Sequence, residues 1–153
     1  MNPYSTSTGM NHSNEDFERR LERLFEEAQH WASTWGLSRL MRDVSVEFSD
    51  ADDSKLGQCD LRRMTVTLNG ILLLPENEAL LHETLCHELA HFVAAYRYGP
   101  RIQEHGPEWQ EYMQRVGFTP RPVIPAGEIR TGSPAPRSRA HRSVGDRSRC
   151  DDR

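Results

Sequence analysis

Residues 77–100 read NEALLHETLCHELAHFVAAYRYGP, and the five residues His87-Glu88-Leu89-Ala90-His91 within them form an H-E-x-x-H motif. Asn77 is placed to cap a long helix, with Glu78 in its first turn. Gly99-Pro100 ends that helix near Tyr98. Residues four apart lie on one helix face, one turn up, so His87 and His91 can reach one tetrahedral ion through their ring nitrogens. Glu88 sits about 100° round the helix from His87, beside the ion rather than on it. From there it can act as a general base. On a helical wheel Leu81, Leu85, Leu89, Phe92, Val93 and Tyr96 gather on the far side, which predicts a core face there and a cleft under the histidines.

Two imidazoles do not complete a catalytic site, because catalytic zinc takes three protein ligands and leaves one position open. His105 is the expected third. It lies in the loop after the motif helix, just before a second helix that starts at Pro107. The competing donors are Glu104, Glu108 and Glu111. Glu108 leads among these, and Glu104 could instead orient a ligand. Imidazole donors favour zinc.

Outward from the motif the chain divides into recognisable elements. Met1 to Asn14 carries neither a basic cluster nor an apolar run, so no signal peptide is expected. Ser13 and Asp16 resemble a capping box, and Phe17, Leu21, Leu24, Phe25, Ala28 and Trp31 then recur at helical spacing to about Gly36. Val44, Val46 and Phe48 alternate with polar residues, as do Met64, Val66 and Leu68. Leu56 to Cys59 is a third short strand candidate, and Asp50 to Asp53 a polar turn. Asn69-Gly70 signals a turn, and Ile71 to Leu74 suits a strand or a loop. Trp109, Tyr112, Met113 and Val116 mark the last helix, closed by Gly117. The expected fold is α+β: three helices with a small antiparallel sheet, zincin-like in outline. The expected organisation is a flexible segment 1–13, one domain over 14–122, and a disordered Arg-rich tail over 123–153.

The chain has 153 residues, 36% of them hydrophobic, which suits one domain with polar ends. Eight arginines between Arg121 and Arg153 face only Glu128, Asp146, Asp151 and Asp152, so a basic tail follows an acidic body. Cys59, Cys86 and Cys150 are scattered and odd in number, which suits a reducing compartment and no disulfide framework. No run is long or apolar enough to span a bilayer. A cytoplasmic protein without membrane contact is the expectation.

The stretch from about Leu56 to Gly117 resembles the SprT-like metallopeptidase family. The matching pieces are Leu56-Gly57-Gln58-Cys59, Thr65-Val66-Thr67-Leu68, the helix from His82 to His91, and His105-Gly106-Pro107-Glu108-Trp109. In that family the two motif histidines and a later His-Gly histidine bind zinc, and the motif glutamate is the base. Carried over, the metal ligands are His87, His91 and His105, and the catalytic residue is Glu88. The family includes proteases of the Spartan and Wss kind, which degrade proteins crosslinked to DNA, and bacterial SprT proteins. The resemblance implies a zinc-dependent endopeptidase acting on protein or peptide substrates and, more weakly, DNA association. Many relatives carry a zinc ribbon of paired cysteines after the catalytic part. Here only Cys150 lies in that region, so no ribbon is expected.

Several residues have plainer readings. His82 and Cys86 are four apart but fall near the apolar side, as a partly buried His and a packed Cys. Trp109, Tyr112 and Met113 are core at helical spacing. Tyr96, Arg97 and Tyr98 could stabilise an oxyanion. The Arg-rich tail suits either phosphate contact or plain solvation. Two other functions fit the motif: a narrow-substrate regulatory metalloprotease cleaving a repressor or antitoxin, and a zinc-stabilised nucleic-acid-associated module with little catalysis. A fourth protein ligand would mark the module.

Overall fold

The computed structural model describes residues 8–50 and 55–131. Residues 1–7, most of the Asp50–Asp53 turn, and the Arg-rich tail from 132 onward with Cys150 lie outside the described residues. The elements run α1 (Thr8–Thr34), α2 (Ser38–Arg42), β1 (Ser45–Ser49), β2 (Gly57–Asp60), β3 (Thr65–Asn69), α3 (Glu78–Tyr98) and α4 (Pro107–Arg115). Two short 3-10 turns, Gly70–Leu73 and Pro75–Asn77, bridge β3 to α3. The architecture is α+β, as expected. No described helix is long and apolar enough to cross a membrane.

The sheet departs from expectation in one respect. Its order is β1-β3-β2, with β2 antiparallel to β3 but β1 parallel to it. Alternation of apolar and polar residues fixes which face of a strand is buried, not the direction of its neighbour. The β2–β3 connection is a tight hairpin. Asp60 Oδ1 accepts from the backbone N–H groups of Arg62 and Arg63 at 3.0 Å, and Met64 takes a left-handed φ of 53°. β2 is thereby delivered to the sheet edge.

α3 is the axis of the molecule. Its apolar residues are buried on nearly every side: Leu80, Leu81, Leu85, Leu89, Ala90, Phe92, Val93 and Ala94. Sheet, α1 and α4 close on it from different directions, so the one-sided core face expected from the wheel is too narrow. Tyr96, expected on that face, is 64% exposed. α1 supplies Leu24 and Trp31 to the core, and Trp35, in the turn just after it, is buried too and donates its indole N–H to the Tyr112 carbonyl at 2.9 Å. α1 begins at Thr8, so Ser13 lies within it and is not its cap.

Asn77 does not cap α3 with its side chain. Fully buried, it donates to the Ile71 carbonyl at 2.9 Å and to the Arg130 carbonyl at 2.8 Å, and accepts from the Arg130 N–H at 2.8 Å. The segment after α4 is therefore no free tail over residues 123–131. Ile124 and Ile129 pack against the core, and a 3-10 turn spans Ala126–Glu128. The Arg121 guanidinium bonds both carboxylate oxygens of Glu83, at 2.6 and 2.8 Å, and both of Glu128 at 2.8 Å. The composition of this stretch is poor in period, but one buried amide and one arginine dock it.

Asn77→Ala leaves buried backbone groups unpaired and is expected to cost about 2–4 kcal/mol, the scale of several broken buried hydrogen bonds. Urea unfolding of the two proteins measures it. An unshifted midpoint would mean that residues 121–131 are not bound there in solution.

Candidate metal centre

The motif helix presents His87 and His91 to an open cleft of about 730 Å³. Gly106 ends the loop and leads into α4, whose first residue is Pro107. That turn brings His105 over the helix. The ligand atoms of His87, His91 and His105 all lie within 4.8 Å of one another, and His87 Nε2 and His105 Nε2 are 3.2 Å apart. Two nitrogens each held by one tetrahedral zinc would be about 3.3–3.4 Å apart, since Zn–N is about 2.0–2.1 Å. The donor set therefore fits an ion of that size. It is the one such group of metal-binding side chains among the described residues. Glu104, Glu108 and Glu111 do not join it. Glu111 pairs with Arg115 instead, at 3.3 Å.

Trp109 organises the three imidazoles. Its fully buried ring stacks on His91 at 19° and meets His87 and His105 edge-on, with centroids 4.8 Å away in both cases. Its indole N–H donates to the His87 carbonyl at 3.1 Å, tying α4 to α3. Gln110 donates to the His105 carbonyl at 3.0 Å and fixes the loop from the other side. Sequence reasoning assigned Trp109 to the core and missed this second role. The His-Gly-x-x-Trp spacing was the available signal.

Burial shapes the charge states. It pushes His87 down to about 3, with the nearby His91 and His105 adding to the effect. Burial likewise pushes His91 down to about 4, assisted by His105 and opposed by Glu104. Both imidazoles are thus neutral at pH 7, the state a metal ligand requires. Glu88 is 7% exposed, with Oε2 3.8 Å from His87 Nε2. Burial raises it to about 7, helped by the charge of Glu104 and opposed by Lys55. A cation among the histidines would draw it back down.

A family model described as SprT-like family matches residues 15–130. The chain belongs to the SprT-like family. Among curated relatives, Protein SprT of Pseudomonas aeruginosa (strain LESB58) is 30% identical over 67% of this chain and 58% of the relative. Protein SprT of Pasteurella multocida (strain Pm70) is 30% identical over 71% of this chain and 62% of the relative. Protein SprT of Pseudomonas putida (strain W619) is 40% identical over 40% of this chain and 38% of the relative. The chain thus spans about three fifths of the length of the first two. No solved structure gives a significant match.

The other residues singled out from the sequence of this SprT-like chain fall elsewhere. Tyr96 and Tyr98 are exposed and do not line the cleft, and Arg97 donates to the Trp35 carbonyl at 3.2 Å. His82 pairs with Glu27 at 3.3 Å and Cys86 is fully buried, a structural pair as expected. Cys59 is half-buried on β2 and lines the cleft, where burial pushes its thiol up to about 12. The cleft's far wall is Pro122, Val123 and Ile124, the last two from the docked segment that composition alone marked as tail.

Two outcomes follow. A divalent transition-metal ion at 100 times its dissociation constant should raise the stability of the protein by about 2.7 kcal/mol, and His105→Ala should abolish most of that gain. Thermal melts with and without the ion decide it, and an equal gain in both proteins would remove His105 from the ligand set. In the metal-free protein, His87 and His91 titrate lower in the fold than their ordinary value of 6.5. The unfolded chain then binds more protons between about pH 4 and 6.5, so these groups make stability rise with pH in that window. Glu88, held near 7 against 4.5, acts in the opposite sense and offsets part of one histidine. Chemical unfolding between pH 4 and 7 should therefore show a net gain with pH, and His87→Ala should flatten it.

Proposed function

We propose that this SprT-like chain is a zinc-dependent endopeptidase with His87, His91 and His105 as zinc ligands and Glu88 as general base. The observation that carries the reading is a buried carboxylate set beside three converging imidazoles at an open cleft. Zinc bound there would supply Lewis acidity toward the scissile carbonyl and the attacking water. The chain's own residues do the rest. Glu88, buried with Oε2 3.8 Å from His87 Nε2, is placed to take a proton from the water and return it to the leaving amine. Trp109 and Gln110 hold the ligands in place while the substrate changes shape.

The cleft supports a protein or peptide substrate. It lies along the β2 edge strand and is lined by Leu61, Ile102, Val123 and Ile124 beside the polar Gln58 and Glu104. Three protein donors rather than four among the described residues favour the enzyme over a zinc-stabilised binding module. Proteins bound or crosslinked to DNA are one substrate class within this proposal. A narrow-substrate regulatory protease is the second reading, favoured by the apolar lining of the cleft.

The test is proteolysis of denatured casein, and self-cleavage, by zinc-loaded protein with and without single-stranded DNA. Glu88→Gln should retain zinc and lose on the order of 10²–10⁴-fold in turnover. Stimulation by DNA would support the DNA-linked substrate class, and indifference to DNA would discard it. Equal cleavage by wild type and variant would remove Glu88 from the chemistry.

A further inference from the structure

Gly57 opens β2, the strand that borders the cleft, and pairs across the hairpin with Leu68. Its backbone is not in the left-handed region, so conformation does not demand glycine there. Space does. A Cβ at this position would meet Thr84 Cγ2 at 2.9 Å, Glu88 Cγ at 3.1 Å and Leu68 Cδ2 at 3.2 Å. The first is closer than carbon atoms pack, and the other two are tight. Thr84 and Glu88 are four apart on α3, so the bare Cα of β2 seats between two side chains on one helix face.

Thr84 is 3% exposed, and its hydroxyl has no hydrogen-bond partner. An unpaired buried hydroxyl is a cost that valine or alanine would avoid. What Thr84 contributes in return is its methyl group, which lies against β2 while the stem of Glu88 lies one turn further along. The strand thus touches the stem of the carboxylate whose tip lies 3.8 Å from His87 Nε2.

We infer that Gly57 and Thr84 are positioning residues for Glu88, together forming the seat that fixes its carboxylate beside the three histidines. This rests on the peptidase reading for its catalytic consequence but not for its geometry. A side chain at position 57 must push the Glu88 stem, the Thr84 methyl or both. The histidines are held separately, by Trp109 and the α4 loop, so ion binding is spared.

The experiment compares zinc-loaded wild type, Gly57→Ala, and Gly57→Ala with Thr84→Ser. Serine removes the methyl at 2.9 Å and keeps the hydroxyl. Gly57→Ala should bind zinc stoichiometrically and lose at least about tenfold in kcat on denatured casein, with KM within about twofold, as a misplaced catalytic group does. Adding Thr84→Ser should restore more than half of that loss on a logarithmic scale. A parallel loss of zinc and activity, or no recovery in the double variant, would overturn the inference. Should wild type fail to cleave casein, the reading as a general endopeptidase fails on its own, and crystal structures of the three proteins still judge the seat. Displacement of the Glu88 carboxylate in Gly57→Ala and its return in the double variant sustains the inference. An unmoved carboxylate overturns it.

Discussion

One hydrogen bond, from the Trp109 indole to the His87 carbonyl, joins the two helices on which the candidate metal centre is built. The bond fixes α4 against α3 at the point where the motif histidines emerge. With α4 fixed, the short loop before it can only place His105 over the helix. The same indole ring then serves as the floor against which all three imidazoles pack. A backbone carbonyl inside an α-helix is already bonded to its own ladder, and its second lone pair is free for such a donor. The side chain that orients the ligands is thus also the one that sets the distance between the helices.

The placement of α3 at the centre explains the electrostatics of the site. A helix covered on nearly all sides carries its polar residues into low dielectric with it. Glu88, Thr84 and Asn77 are all buried. Asn77 meets the cost with three hydrogen bonds, and Glu88 by shifting toward its neutral form until a cation is near. His87 and His91 shift the other way for the same reason. Burial alone therefore prepares neutral ligands and a carboxyl poised near neutrality, before any ion is considered.

The segment after α4 contributes more than its composition suggests. Arg121 reaches Glu83 on the motif helix, and Arg130 is held by Asn77 at that helix's start. Between these two ties, Pro122, Val123 and Ile124 form a wall of the cleft. The wall and the ligands are thus anchored to the same helix, so displacement of one would be felt by the other.

Much of this was legible in the chain itself. The spacing of His87, Glu88 and His91 is a statement about a helix, whose geometry is nearly fixed, so residue number alone places both imidazoles on one face. His105-Gly106-Pro107 reads as a turn into a helix, and that too is local. Two of the three strands and their buried faces followed from period-two alternation, and the third was a short candidate at Leu56 to Cys59. The rest needed the tertiary structure, because it depends on contacts between residues distant in sequence. The parallel pairing of β1 with β3, the burial of α3 on nearly all sides, and the use of Asn77 to dock Arg130 leave no local pattern. Nor does Gly57, which the sequence shows as an ordinary strand glycine. Only the approach of β2 to Thr84 and Glu88, residues about 30 positions away, shows that a single methyl group would not fit.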